Sequence, residues 1–193
     1  MHVILSAHLD TVYRDPYCHL GNGTMTGACD NIAGVFAVAQ LIQETDLDAY
    51  LTEDEEMHMD GARYVARSYS ADDTFVIVVE VTERGRKWAK LHFTVENWRG
   101  IKPRLIKSCL REFSGQYKMV EHGSESEAWL YRELGFSCLE ICVPVAGGLH
   151  SLDGRARLED IAVAARAIKT VADFIKTKSR EEISDNYRVG DSA

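Results

Sequence analysis

Short apolar runs rich in β-branched residues alternate along this chain with longer stretches whose apolar positions recur at helical spacing. Val3 to Ala7 reads as a buried strand that ends on His8. Asp15 to Gly27 is punctuated by Pro16, Gly21, Asn22-Gly23 and Gly27 and reads as a loop. Asn31 to Gln43 carries Ile32, Val35, Phe36, Val38, Ala39, Leu41 and Ile42 at helical spacing. A strand is expected from about Ala49 to Thr52 and a helix from Asp60 to Arg67. Thr74 to Val81 is the clearest buried strand. Lys90 to Val95 alternates, which predicts an exposed or edge strand. Lys102 to Phe113 reads as a helix with Pro103 in its first turn, and Tyr117 to Val120 as a short strand. Ser126 to Leu134 is a helix closed by Gly135, and Phe136 to Val143 is another buried strand. Leu158 to Ile175 is a long amphipathic helix.

Strands alternating with helices predict an α/β fold, a three-layer α/β/α sandwich on a mostly parallel mixed sheet. Residues 1–178 are expected to form one domain, and the polar residues 179–193 a disordered tail. In such sheets, sites form beyond the carboxyl ends of the strands. His8, the acidic cluster Asp54 to Glu56, Glu80 and His150 all fall at or just after predicted strands.

Composition narrows the function classes. The 193 residues suffice for a sizeable core, and a net charge of −8 without a basic run excludes nucleic acid or an anionic membrane as the main partner. The start lacks a basic segment followed by an apolar one, so it is not read as a signal peptide. Five cysteines without a C-x-x-C predict reduced thiols and a cytoplasmic location. Cys138 and Cys142 share a strand face and read as core, and Cys29 reads as a small packed residue rather than a nucleophile.

Each candidate site residue has a plain structural reading beside the chemical one. His8 and Asp10 form H-x-D, in which a carboxylate orients an imidazole for a metal; a lone strand-end histidine is more often structural. Asp30 precedes a helix, where capping competes with ligation. Glu55-Glu56 is either surface charge or a ligand beside a general base. Glu80 interrupts F-V-I-V-V-x-V, where an unpaired charge is costly and a metal or an ion pair would offset it. His150 follows Gly147-Gly148, which permit close backbone approach, or is an ordinary loop histidine.

These stretches, in order, are A-H-L-D-T-V, G-N-G-T-M-T-G-A-C-D-N-I-A-G-V, T-E-D-E-E-M-H-M-D-G-A, V-I-V-V-E-V-T and G-L-H-S-L-D-G-R-A-R-L-E-D-I. They resemble the co-catalytic zinc exopeptidases: aminopeptidases, carboxypeptidases and amide-bond deacylases with a phosphorylase/hydrolase-like fold. The resemblance covers residues 2 to about 176. It implies that His8 and Glu80 bind one metal and Glu56 and His150 the other, with Asp30 bridging both. Asp10 would orient His8, and Glu55 would be the general base. The ions would be two divalent cations, zinc or else cobalt or manganese. A cis peptide is implied after the bridging Asp30.

The chain departs from the resemblance in three ways. Relatives usually carry an N-terminal segment before the H-x-D strand, whereas here that strand begins at once: part of the usual sheet or wall is expected to be missing, or the chain is a fragment. The gaps from His8 to Asp30 and from Glu80 to His150 are too short for a lid or dimerisation domain. Glu80 stands where many aminopeptidases carry Asp and many deacylases Glu. A lid-free layout favours an aminopeptidase acting on peptides or aminoacyl amides, with Glu125 or Glu127 holding the substrate α-ammonium. A deacylase or carboxypeptidase, and a non-catalytic metal-binding remnant, are the alternatives. A homo-oligomer is expected to cover the sheet edge left open by the missing segment.

Overall fold

The computed structural model describes residues 1–83, 90–123 and 125–184. The chain runs β1 (His2–His8), β2 (Cys18–Gly21), β3 (Thr24–Gly27), α1 (Ile32–Leu41), β4 (Asp48–Thr52), α2 (Asp60–Ala66) and β5 (Thr74–Glu83). It continues through β6 (Phe93–Glu96), α3 (Pro103–Cys109), β7 (Tyr117–Met119), α4 (Glu127–Glu133), β8 (Ser137–Ala146), β9 (Gly154–Arg157), α5 (Leu158–Lys176) and α6 (Arg180–Ile183). A single turn of 3-10 helix, Arg111–Phe113, follows α3.

All nine strands join one sheet in the order β2-β3-β9-β8-β5-β1-β4, with β6 paired to β8 and β7 to β6. β4, β1, β5 and β8 are mutually parallel, whereas β9, β3 and β2 add antiparallel strands at one side. The inner parallel strands β1, β5 and β8 are apolar almost throughout because helices cover both faces. On one face, Val3, Leu5, Ile77, Val79 and Ile141 pack with Ala37, Val38 and Leu41 of α1 and Ile161, Ile168 and Val171 of α5. On the other, Ile4, Val76, Val78 and Cys138 pack with Ala62 and Val65 of α2 and Leu130 and Tyr131 of α4. This is the expected α/β/α sandwich.

Four local expectations change. The stretch expected as a loop, Asp15 to Gly27, contains the β2–β3 hairpin, whose tip residues Asn22 and Gly23 both have positive φ, 52° and 73°. Asn-Gly suits that turn, so the pair marks a hairpin rather than a break. β9 was not anticipated, because G-R-A-R has no apolar run; it is held by pairing to β3 and β8. β6 is buried throughout and lies between β8 and β7, not at an edge. The tail does not begin at 179: Ser179 and Glu182 form a capping box for α6, and Ile183 is buried. Residues 185–193 of the expected tail lie outside the described residues.

Candidate metal centre

β1 and β5 run side by side, and each delivers one polar residue to the same end of the sheet. His8 closes β1, and Glu80 sits near the end of β5; both are buried. His8 Nε2 lies 3.2 Å from Glu80 Oε2 and 3.3 Å from Asp30 Oδ1. Asp30 precedes α1, but the neighbouring Asn31 caps that helix, so the Asp30 carboxylate is left free for the site. Asn31 accepts a hydrogen bond from Gly34 N–H at 3.1 Å and donates Nδ2 to the Val79 carbonyl at 2.7 Å. The capping reading therefore belongs to Asn31. The Asp30–Asn31 peptide bond is cis, as the resemblance implied.

The second half of the site comes from the loops after β4 and β8. His150 Nε2 lies 3.4 Å from Asp30 Oδ2 and 3.4 Å from Glu56 Oε2. The two oxygens of Asp30 thus face two different histidines. His8, Asp30 and Glu80 form one ligand-competent triad, and Asp30, Glu56 and His150 form the other; within each, one ligand atom per residue falls within 4.8 Å of the rest. All five residues named as ligands converge here.

Asp10 lies beside His8 and makes a second set of contacts as well. His8 Nδ1 is 3.1 Å from the Asp10 main-chain carbonyl and 3.5 Å from its carboxylate. The carboxylate also accepts the N–H groups of Glu55 at 3.2 Å and Glu56 at 3.3 Å. The loop carrying those residues turns back on itself, with His58 and Met59 N–H groups both donating to the Asp54 carbonyl. Gly61 lets α2 close against it, since a Cβ there would meet Glu53 N at 2.6 Å. Glu55 is half-buried, with a carboxylate oxygen within 4.8 Å of His8 and Glu56 ligand atoms.

The electrostatics follow from crowding. Burial pushes the Glu55 carboxyl up to about 8; His8 opposes this, and Glu80 and Glu56 add to it. Burial alone would lower the His8 imidazole, but Glu80 and Asp30 overrule it and push it up to about 12. Burial also raises Glu80 and Glu56. Glu56 Oε1 is buried with no hydrogen-bond partner. Among the described residues, no lysine or arginine pairs with Asp30, Glu56 or Glu80. Packed carboxylates with only imidazoles to balance them fit divalent cations, and the N/O donor set suits zinc, cobalt or manganese.

The substrate-side expectation is corrected in one half. Glu127 does not face a substrate: it is fully buried at the start of α4. Its Oε2 accepts the Ser6 hydroxyl at 2.7 Å, and its Oε1 accepts the Thr52 hydroxyl. Ser6 precedes His8 by two residues on the same strand face, and Thr52 lies opposite His8 in the β1–β4 register. Glu127 therefore ties together the two strands that end in the site. Ser6, a polar residue inside an apolar run, was the sequence signal that a buried partner was needed. Glu125 is exposed. Cys29 is a packed residue as expected, its thiol pushed up to about 11 by burial.

A family model described as Peptidase family M28 matches residues 1–175. The chain belongs to that family. No curated protein sequence gives a significant match to this M28 chain. Among solved structures, it resembles an aminopeptidase from the archaeon Desulfurococcus kamchatkensis, with a TM-score of 0.66 and 20% identity over 92% of this chain and 56% of that one. A TET aminopeptidase from a marine-sediment thaumarchaeote gives a TM-score of 0.67 and 18% identity over 84% of this chain and 55% of that one. The Pyrococcus horikoshii TET1 peptidase, described as able to assemble into a tetrahedron or a large octahedral shell, gives a TM-score of 0.62 and 18% identity over 81% and 52%. The M28 chain spans about half the length of these structures, and at such identities the likeness is one of fold.

Proposed function

We propose that this M28 chain is a two-metal aminopeptidase that removes N-terminal residues from peptides or aminoacyl amides. The observation that carries the reading is Asp30, whose two oxygens are divided between a His8–Glu80 pair and a His150–Glu56 pair. Two divalent ions, zinc or else cobalt or manganese, would be held by those five residues. When bound, such ions polarise a scissile carbonyl and make attacking water more acidic.

The chain's own residues do the rest. Glu55 takes the proton from the attacking water and delivers it to the leaving amine. Asp10 holds the Glu55-Glu56 main chain in place. Asn31 fixes the start of α1 against β5, and with it the position of Asp30. Glu125 is the exposed carboxylate left as a candidate for the substrate ammonium. The aminopeptidase description of the structural neighbours supports the choice of free N-termini over blocked ones.

Five free cysteines support a reducing, cytoplasmic setting, and no helix among the described residues is long and apolar enough to cross a membrane. β4 is an edge strand with Leu51 49% exposed, which supports a homo-oligomer formed across that edge. A monomer by light scattering at micromolar concentration would contradict that part.

The deciding experiment is a panel of free and N-blocked aminoacyl amides with added zinc, cobalt or manganese. The free substrates are expected to turn over, and Glu55→Gln to reduce kcat by about 10²–10⁴-fold with metal content unchanged. Turnover of blocked substrates alone would make the chain a deacylase. Undiminished activity in Glu55→Gln would remove Glu55 from the mechanism.

A further inference from the structure

The sheet face that carries His8 and Glu80 carries a second group of side chains one strand further along. In the antiparallel β6–β8 pair, Glu96 lies opposite Glu140 and Thr94 opposite Cys142. Directly opposed residues share a face, and residues two apart do too, so all four project to the same side. Cys142 is also the register partner of Glu80 on β5. Glu96, Glu140 and Cys142 are buried, and each presents one ligand atom within 4.8 Å of the others. None of the three belongs to the set that shares Asp30.

Protein partners balance this group only in part: the Asn97 side chain and the Arg132 charge favour the Glu140 carboxylate, but burial outweighs them. Thr94 donates its hydroxyl to Glu96 Oε1 at 2.5 Å. The Cys142 thiol approaches Glu140 Oε2 at 3.8 Å. Glu140 Oε1 is buried and has no hydrogen-bond partner, although the residue is fully enclosed. Arg132 is close by, but it gives Nη2 to the Asn97 carbonyl at 2.7 Å, and its Nε is itself unpartnered. Among the described residues, no ion pair reaches Glu96 or Glu140. A buried carboxylate oxygen without a donor is the kind of group a bound cation would satisfy.

The pocket is also closed. Gly123 packs on Glu96 so tightly that a Cβ would lie 2.6 Å from Glu96 Oε2. Its N–H donates to Asn97 Oδ1 at 2.9 Å, which fastens the covering loop. The donors are two carboxylates and a thiol, a set that suits zinc or a similar borderline cation. We propose that Glu96, Glu140 and Cys142 form a third divalent-cation site, separate from the pair sharing Asp30. A cation here ties β6 to β8 beside the strand that carries Glu80.

The test uses the full chain, stripped with a chelator and reloaded. After zinc loading and gel filtration, three equivalents per chain are expected, falling to two in Cys142→Ser and in Glu140→Gln. Cobalt loading is expected to give a thiolate-to-cobalt charge-transfer absorption in the near ultraviolet that Cys142→Ser abolishes. The Asp30-sharing set contains no sulfur, so this absorption reports on the new site even if the two-metal reading fails. Glu96→Gln keeps its volume and its Thr94 contact, and should weaken cobalt binding at this absorption about tenfold or more. Two equivalents in the wild type without the absorption would overturn the proposal. An absorption that survives Cys142→Ser, or is unmoved by Glu96→Gln, would overturn it as well.

Discussion

The Asp10 carboxylate grips the main chain of Glu55 as well as facing the ring of His8. Oδ1 accepts the Glu55 N–H and Oδ2 the N–H of Glu56, while the Asp10 carbonyl faces His8 Nδ1. One residue thereby sets both the imidazole and the acidic dipeptide that completes the centre. Asp10→Ala should keep the carbonyl contact and lose the grip. Metal affinity or kcat is expected to fall by about 10–100-fold, as for other groups that support ligands. Asp10→Asn retains one acceptor oxygen and should fall between wild type and Asp10→Ala. Zinc titration of the stripped protein and steady-state kinetics measure both. Equal behaviour of all three proteins would remove Asp10 from the centre.

Glu127 links the Ser6 and Thr52 hydroxyls across the ends of β1 and β4. Glu127→Ala takes the acceptor from the Thr52 hydroxyl, leaves Ser6 the Tyr131 hydroxyl 3.1 Å away, and opens a cavity, a loss of about 2–4 kcal/mol. For a chain of this size Tm should drop by roughly 4–16 °C. Glu127→Gln keeps the shape and one acceptor oxygen, so its decrease should be smaller. A thermal melt of each variant measures this. A substrate-binding role would instead raise KM and leave Tm in place.

Much of this organisation is written in local pattern. The parallel strands are legible because burial on both faces demands continuous apolar runs, as in Thr74 to Val81. His8, Glu80, Asp30, Glu56 and His150 stand out because each breaks such a run or adjoins one. What the sequence hides depends on pairing across the chain. G-R-A-R becomes β9 only because β3 and β8 present edges to it. Lys90 to Val95 alternates like an exposed strand, yet β6 is enclosed by β7 and β8. Glu127 carries a charge pattern typical of an exposed helix start, and only the Ser6 and Thr52 hydroxyls explain its burial.

Gly34 is required by Asn31. A Cβ at Gly34 would sit 2.2 Å from Asn31 Oδ1, the atom that caps α1. Gly34→Ala should rotate the Asn31 amide, break the cap and release the Val79 carbonyl beside Glu80. The lost cap and the unsatisfied buried carbonyl together cost about 2–4 kcal/mol. Chemical denaturation measures that loss, and zinc affinity should weaken because Asp30 adjoins the displaced residue. Full stability and full affinity in Gly34→Ala would show that α1 adapts without moving the centre.

Removal of metal should loosen the centre more than the rest of the fold. Asp30, Glu55, Glu56 and Glu80 repel one another, and only His8 and His150 offset them among the described residues. An ion that binds the folded chain alone stabilises it by about 2.7 kcal/mol when its free concentration is 100 times Kd. A chelator should therefore lower Tm by roughly 5–11 °C, and zinc should restore it. Glu80→Gln removes one negative group and one ligand together. Its metal-free form should melt at or above the metal-free wild type, while its response to zinc shrinks. Melts of both proteins with and without chelator separate these effects. A wild-type Tm indifferent to chelator, in protein that was metal-loaded beforehand, would argue against a bound cation at Asp30.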